Sequence, residues 1–415
     1  MIRPLFGPRV LRGARHVVAC ALVPAVGLCS ITPAARASLD VPELLSYRLM
    51  VTHPSTSPGD TTAGMMQELQ WLRAESIIIT SASRHEEELF KTAAAVCVVT
   101  ADDIQRSGAR NLPDMLRLVP GMSVAQMDAN KWAITSRGFN SRFADKLLVL
   151  IDGRTVYTPS FSGVYWDMQD YNIADIDRIE VIHGPGGTLW GANAVNGVVN
   201  IITRSASRAQ PGRLTVGYGT DEGGASLRSS AGLGERGDLR AYVKARRLDD
   251  LKPTGFDGWD FLQGGFRSDW KQARTSVTFQ GDFYLGKERQ QLVMGHLPPV
   301  PYGGTEIDTL DEKYDVDGQN LLVRVGREQG AGSNWQLQAY WDRTNRTDRG
   351  VSGYRNTFDL DFQHRFSFAT RHDVTYGMGY RFLPDHFRNP DLSYINWDPA
   401  ERDWQLFSAF VHSSK

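Results

Sequence analysis

The sequence predicts an α+β domain followed by an antiparallel transmembrane β-barrel, of which about ten strands are present. Three observations predict it. Residues 76–204 mix short β-branched runs, one interrupted helical pattern and glycine-rich turns. From residue 212 the helical pattern gives way to strict two-residue alternation, in segments close to the ~9–11 residues that cross a bilayer at a tilt. The links between these segments alternate between short and long, as expected of a barrel whose two rims differ; a soluble sandwich has no reason to segregate loop length.

Composition agrees. The 415 residues are 41% hydrophobic and 22% charged, which is globular rather than disordered, and 40 glycines, 14 tyrosines and 10 tryptophans suit a β-rich chain. Five of the 46 basic residues (Arg3, Arg9, Arg12, Arg15 and Arg36) lie in the first 37 positions with no acid among them, so the remainder is acidic by six charges. That balance argues against nucleic acid as a partner.

Residues 1–37 read as a cleaved signal peptide. A basic stretch ends at His16, an apolar run spans 17–31, and Ala35-Arg36-Ala37 offers a small-residue cleavage site before Ser38. The run is short of the ~20 apolar residues a spanning helix needs. Cys20 and Cys29 leave with it, and Cys97 stays alone on an expected buried strand as an inert thiol. Residues 38–75 form a flexible lead with one short helix near 65–74.

The α+β domain spans 76–204. Ile77-Ile78-Ile79-Thr80 and 96–99 are β-branched runs, and Thr100 with Asp103 predicts a capped helix start. The helical pattern pauses at Ser107-Gly108, resumes through Leu112, Met115, Leu116 and Val119, and stops at Pro120-Gly121. Strands follow at 147–151, ending in an Asp152-Gly153 turn, then around Ile176, Ile179, Val181 and Ile182, then at 198–202.

The barrel part spans 212–415. Val277, Phe279, Gly281, Phe283 and Leu285 alternate with Ser276, Thr278, Gln280, Asp282 and Tyr284, and the pattern repeats through 335–342, 357–368 and 374–382. Short links are expected at 234–238, 270–274, 329–334 and 369–372, and long polar ones at 249–258, 286–317, 343–353 and 383–402. Trp259, Trp270, Trp335 and Trp404 stand at strand ends, where aromatic girdles meet the membrane surface.

Residues 76–204 resemble the plug of TonB-dependent outer-membrane receptors. The resemblance rests on segments in family order: Ser76-Ile77-Ile78-Ile79-Thr80-Ser81-Ala82-Ser83, Leu116-Arg117-Leu118-Val119-Pro120-Gly121, Ser136-Arg137-Gly138-Phe139-Asn140, Leu148-Val149-Leu150-Ile151-Asp152-Gly153, Arg178-Ile179-Glu180-Val181-Ile182-His183-Gly184-Pro185, and Leu189-Trp190-Gly191-Ala192-Asn193-Ala194-Val195-Asn196-Gly197 running on to Thr203. His183 departs from the pattern, which usually has arginine there. The resemblance implies capture of a scarce metal chelate, a ferric siderophore first and cobalamin or haem as alternatives, by a monomer in outer-membrane lipid, with transport powered by TonB from the periplasmic side. Docking of a bacteriocin or phage and a non-functional truncated receptor are the alternatives from other classes.

Within that reading Ile77, Ile78, Ile79 and Thr80 resemble the energy-coupling box, a β-branched segment suited to strand addition on TonB; the other reading is a core strand of the plug. Outward plug loops at 128–132 and 157–166 are the expected ligand contacts, through Asp128, Asn130, Lys131, Tyr157, Phe161, Tyr165 and Trp166. The alternative is that the rings pack on the barrel wall. Asp308, Asp311, Glu312, Asp315 and Asp317 crowd one expected outer loop. They read as a solvated acidic loop, with Ca²⁺ binding the alternative, and no other cofactor is implied. Neither a nucleophile elbow nor a zinc or phosphate-loop motif occurs in the sequence, so no enzyme is expected. A porin is disfavoured because its lumen stays open.

Size sets a further expectation. A plug of this length is roughly 35 Å across, while ten strands close to a diameter of roughly 20 Å and twenty-two to roughly 44 Å. About ten strands of an expected twenty-two are therefore read here, and the chain is expected to be truncated or frameshifted.

Overall fold

The computed structural model describes residues 78–81, 87–88, 94–138, 140–142, 144, 146–208, 212–251, 255–296, 306–330, 332–368, 372–388 and 397–414. The signal over 1–37, the lead over 38–75 and Ile77 lie outside the described residues.

Strand β1 (Ile78–Ile79) pairs antiparallel with β2 (Glu87–Glu88). Strand β3 (Ala95–Thr100) runs into helix α1 (Ala101–Ser107) through the expected capping box, in which the Thr100 hydroxyl accepts the Asp103 amide at 3.2 Å and the Asp103 carboxylate accepts the Thr100 amide at 2.9 Å. Left-handed Gly108 ends α1. Helix α2 (Leu112–Leu116) begins at Asn111, whose side chain accepts the Asp114 amide at 2.8 Å. It stops sooner than the pattern suggested: Val119 is buried, but in a turn closed by its N–H donating to the Leu116 carbonyl.

Strands β4 (Met122–Gln126) and β5 (Trp132–Ser136) form a hairpin. Then come β6 (Leu147–Ile151), β7 (Arg154–Thr155), β8 (Tyr157–Thr158), β9 (Gly163–Val164), β10 (Ile176–His183), α3 (Gly187–Trp190) and β11 (Gly197–Thr203). The central sheet has the order β3-β10-β11-β6-β7, with β11 parallel to β6 and the other pairs antiparallel. Asp152 and Gly153, at φ 51° and 82°, make the tight turn between β6 and β7. Alternation gives the sheet two faces. Ile179, Val181, Val199, Ile201, Val149 and Ile151 meet Ile104, Leu112, Met115 and Leu116 of the helices, while Ile182, Val198, Leu148 and Leu150 meet Trp190. Cys97 corrects one expectation. Its strand is the sheet edge, so the residue is only half-buried, and burial together with the nearby Asp103 charge pushes the thiol up, away from the reactive thiolate.

Ten further strands form one antiparallel meander in chain order: β12 (Gly212–Tyr218), β13 (Glu222–Leu233), β14 (Gly237–Leu248), β15 (Trp259–Gln272), β16 (Thr275–His296), β17 (Glu306–Gly330), β18 (Ser333–Thr347), β19 (Ser352–Phe368), β20 (His372–Arg388) and β21 (Glu401–Ser414). Phe279, Phe283, Leu285, Val323, Leu337 and Leu360 face outward, while Gln280, Tyr284, Leu322, Gln338 and Tyr340 turn towards the α+β domain and are buried. The outward face is thus an apolar belt, as a lipid-facing wall requires.

The short links fall where expected, but two of the four long ones, 286–317 and 343–353, are mostly strand, and a third, 383–402, is entered by strand at both ends. β16 and β17 stay paired from Gly286 opposite Val316 to His296 opposite Glu306, β18 reaches Thr347 before β19 starts at Ser352, and β20 runs to Arg388. Beyond the belt both strand faces are polar, so the hydrophobic alternation fades while backbone pairing continues. This also corrects the acidic cluster. Asp311, Asp315 and Asp317 lie on the outward face of β17 and Glu312 on the inward one, so the acidic residues belong to a paired strand rather than to a loop. Trp259 is likewise no girdle residue: it is buried on the inner face beside Phe261 and Tyr284. Trp270 is exposed on the outer face, whereas Trp404 pairs with inward Leu383 and so takes the inner side, where it too is no girdle residue.

Candidate functional site

The functional geometry lies where the α+β plug meets the inner face of the wall, and where β1 lies against the plug sheet. At the wall, plug carboxylates meet wall cations in buried pairs. Asp175 accepts from Arg228 at 2.8 Å, Asp170 from Lys244 at 2.8 Å, and Asp167 from Arg346 at 2.7 Å. Arg246 adds a 3.4 Å contact to Asp170 and Arg240 a 3.5 Å contact to Asp175. One pair runs the other way, from plug Arg154 to wall Asp342.

Asp152 shows why this buried charge is tolerated. Its carboxylate accepts the Thr203 amide at 2.9 Å, the Thr203 hydroxyl at 2.8 Å and the Gln280 side-chain amide at 2.9 Å, with the Arg267 guanidinium 3.7 Å away. Burial works against the charged form, but the Arg267 charge and the Thr203 amide outweigh it and hold the carboxyl below its ordinary range. Arg324 donates to the Asp152 carbonyl, so the β6–β7 turn is gripped from three wall strands. This part of the interface ties the plug to the wall through polar contacts that water can replace.

The second site concerns the predicted coupling segment. Ile78 and Ile79 pair with Glu88 and Glu87, and Ile79 and Ser81 are fully buried. The Thr80 and Ser81 amides donate to one oxygen of Glu180 at 3.0 and 2.7 Å, and the Ser81 hydroxyl donates to it at 2.5 Å. The segment therefore sits docked on the plug, in the arrangement of the core-strand reading.

The predicted ligand loops are also inside the molecule. Phe161 stacks on Tyr165 at 4.0 Å, and both pack with Met168 against Leu248, Trp259, Phe261, Tyr284 and Tyr314 of the wall. Trp166 joins the main plug core, and Tyr157 is half-buried beside Leu148 and Leu150. In the other loop the Ala129 amide donates to wall Asp257, the Asn130 side chain donates to the Arg289 carbonyl, and Lys131 bridges Asp128 at 3.0 Å and Asn130 at 2.7 Å. Phe161 and Tyr165 take the wall-packing alternative, and the two loops are tied to the barrel rather than displayed as an open aromatic surface.

The remaining motif residues shape turns. Arg137 and Asn193 are left-handed at φ 60° and 71°, and Gly138, Gly184 and Gly191 lie beside them. The Gly184 amide donates to the Asn196 carbonyl at 2.9 Å, setting the turn at Pro185. Gly197 is required by space, since a Cβ there would sit 2.6 Å from the Ile182 carbonyl oxygen. His183, the departure from the family pattern, meets the Ser136 hydroxyl at 3.0 Å, and burial plus the Arg137 charge hold it below its ordinary value and neutral. Sequence reasoning missed the wall cations Arg228, Lys244, Arg246, Arg267 and Arg346. Their signal was present: each occupies an inward register position of an alternating strand, where a packed lumen demands a partner.

Residues 88–198 match the family described as the TonB-dependent Receptor Plug Domain. Among curated proteins, the vitamin B12 transporter BtuB of Vibrio cholerae serotype O1 is 28% identical over 216 residues, 50% of this chain and 34% of that protein. BtuB of Vibrio vulnificus is 31% identical over 166 residues, 38% of this chain and 26% of its own. The chain thus spans about a third of the length of the curated relatives it matches. Two solved Pseudomonas aeruginosa receptors share the fold: the siderophore receptor PirA (TM-score 0.57, 20% identity, 78% of this chain and 53% of that one) and the ferripyoverdine receptor (TM-score 0.62, 16% identity, 77% and 46%).

Proposed function

We propose that this chain is the plug and adjoining wall of a TonB-dependent outer-membrane receptor that takes up a scarce metal chelate, with a ferric siderophore as the first substrate class. The plug–wall interface carries this reading. A plug held on the barrel wall by buried ion pairs bars a chelate from diffusing past it, so the plug must be moved by work, and the outer membrane has no nucleotide pool to supply it. The work then enters through a physical partner, TonB, that pairs with Ile77–Thr80 after that segment leaves the plug. A signal over 1–37, cleaved after Ala37, delivers the chain as a monomer to outer-membrane lipid. The similarity to vitamin B12 transporters favours cobalamin as the second reading.

Uptake of radiolabelled ferric siderophores and of labelled cobalamin by cells expressing the receptor separates the two. Replacing Ile78 by Pro should abolish energised uptake and leave surface binding intact, because proline removes an amide that strand pairing needs. Uptake that survives this change removes the coupling assignment, and absence of binding to either ligand removes the metal-chelate class.

A further inference from the structure

Glu180 is a carboxylate set on a sheet face whose other members include buried Ile182, Val198, Leu148 and Leu150. In the run Arg178-Ile179-Glu180-Val181-Ile182 the odd residues feed the main core, and Glu180 stands on the opposite face in a polar row with Asn200 of β11. Glu180 is fully buried there, and a carboxylate buried on such a face needs partners for its charge. What covers it is the end of β1. Three donors of Thr80 and Ser81 converge on one carboxylate oxygen at 2.5–3.0 Å, while Arg178 holds the other oxygen at 2.8 Å. Two further side chains close on the same residue: Trp190 donates its indole N–H to the Ser81 carbonyl at 2.7 Å, and Asn200 donates to the Ser81 hydroxyl at 2.9 Å.

The geometry points to Glu180 as a catch that holds the coupling segment on the plug, so that presentation of the segment to a periplasmic partner requires Glu180 to let go of Thr80 and Ser81. This rests on the reading of Ile77–Thr80 as the coupling segment. The design suits a reversible device. Every group in the clasp is polar, so water can replace each bond when the segment leaves, and Arg178 keeps the freed carboxylate paired. The contacts are confined to Thr80 and Ser81 against Glu180, Trp190 and Asn200, so the rest of the sheet need not move.

The test reads docking directly. In the full-length receptor reconstituted in vesicles, an Ile79→Cys thiol is buried while the segment is docked, and its alkylation rate, mapped to that residue by peptide mass spectrometry, reports undocking. Adding Glu180→Gln keeps the shape but sets an NH₂ against either Arg178 or the Thr80 and Ser81 amides, so alkylation should rise at least tenfold. Ser81→Ala, which removes two holds without touching the sheet, should give a smaller rise in the same direction. A purified TonB C-terminal domain should then bind the Glu180→Gln receptor more tightly than the parent. Unchanged alkylation in both variants overturns the catch, whatever TonB does. Faster alkylation with no gain in TonB binding keeps the catch and overturns the coupling reading on which it rests.

Discussion

At the scale of single residues, Asp152 makes the sharpest demand. Its carboxyl is held below its ordinary range in the fold, so its contribution to stability is present above the unfolded value near ~3.9 and is lost as pH falls through the lower folded value. Asp152→Asn should therefore destabilise the protein at neutral pH by about 1–3 kcal/mol, the cost of weakening the charge-assisted bonds to Thr203 and Gln280, since Arg267 keeps Asp269. It should also flatten the acid limb of a melting-temperature profile below about pH 4. An acid limb as steep as the parent's would show that the titrating group lies elsewhere. Gly197→Ala tests sterics instead of charge. Its Cβ would collide with the Ile182 carbonyl, and relief means opening the β10–β11 ladder, so a loss of about 1–3 kcal/mol in denaturant unfolding is expected.

At the scale of elements, α1 depends on its cap and the wall on its two faces. Thr100→Ala removes the hydroxyl that accepts the Asp103 amide and should cost about 1 kcal/mol, read from the urea midpoint. On β17, neighbouring residues should respond by different physics. Val323 faces outward in the apolar belt, so Val323→Arg should cost ~2–4 kcal/mol in lipid vesicles if it sits near mid-depth. Leu322 faces the plug and is 1% exposed, so Leu322→Ala should cost about 2–5 kcal/mol through the cavity it leaves. A Val323→Arg variant as stable as the parent in vesicles would remove the lipid-facing assignment.

At the scale of the whole molecule, plug and wall meet through buried ion pairs beside an apolar cluster around Phe161 and Tyr165. Removing one anion that serves two wall cations, Asp170→Ala, strips partners from both Lys244 and Arg246. Planar-bilayer recordings in 4 M urea should show channel opening more often in this variant than in the parent. Equal opening would mean that the ion pairs do not hold the plug. Opposite charges meet across the gap in both senses, Asp175 with Arg228 and Arg154 with Asp342, because like charges across so dry a gap would repel.

Much of the fold was legible in the residues themselves. The capped helix at Thr100, the turn at Asp152-Gly153, the three sheet strands and the alternation of ten wall strands follow from local chemistry and a two-residue period, which act over a few neighbours and leave their mark in order along the chain. Loop length was not legible. Where β16 and β17 rise beyond the belt both faces are polar, so periodicity no longer reports pairing that the backbone still makes. The site was legible only as motifs. That Glu180 is buried, that Phe161 and Tyr165 face the wall, and that Asp170 meets Lys244 depend on residues some 70 to 100 positions or more apart in the chain, and only tertiary packing brings those partners within hydrogen-bond reach.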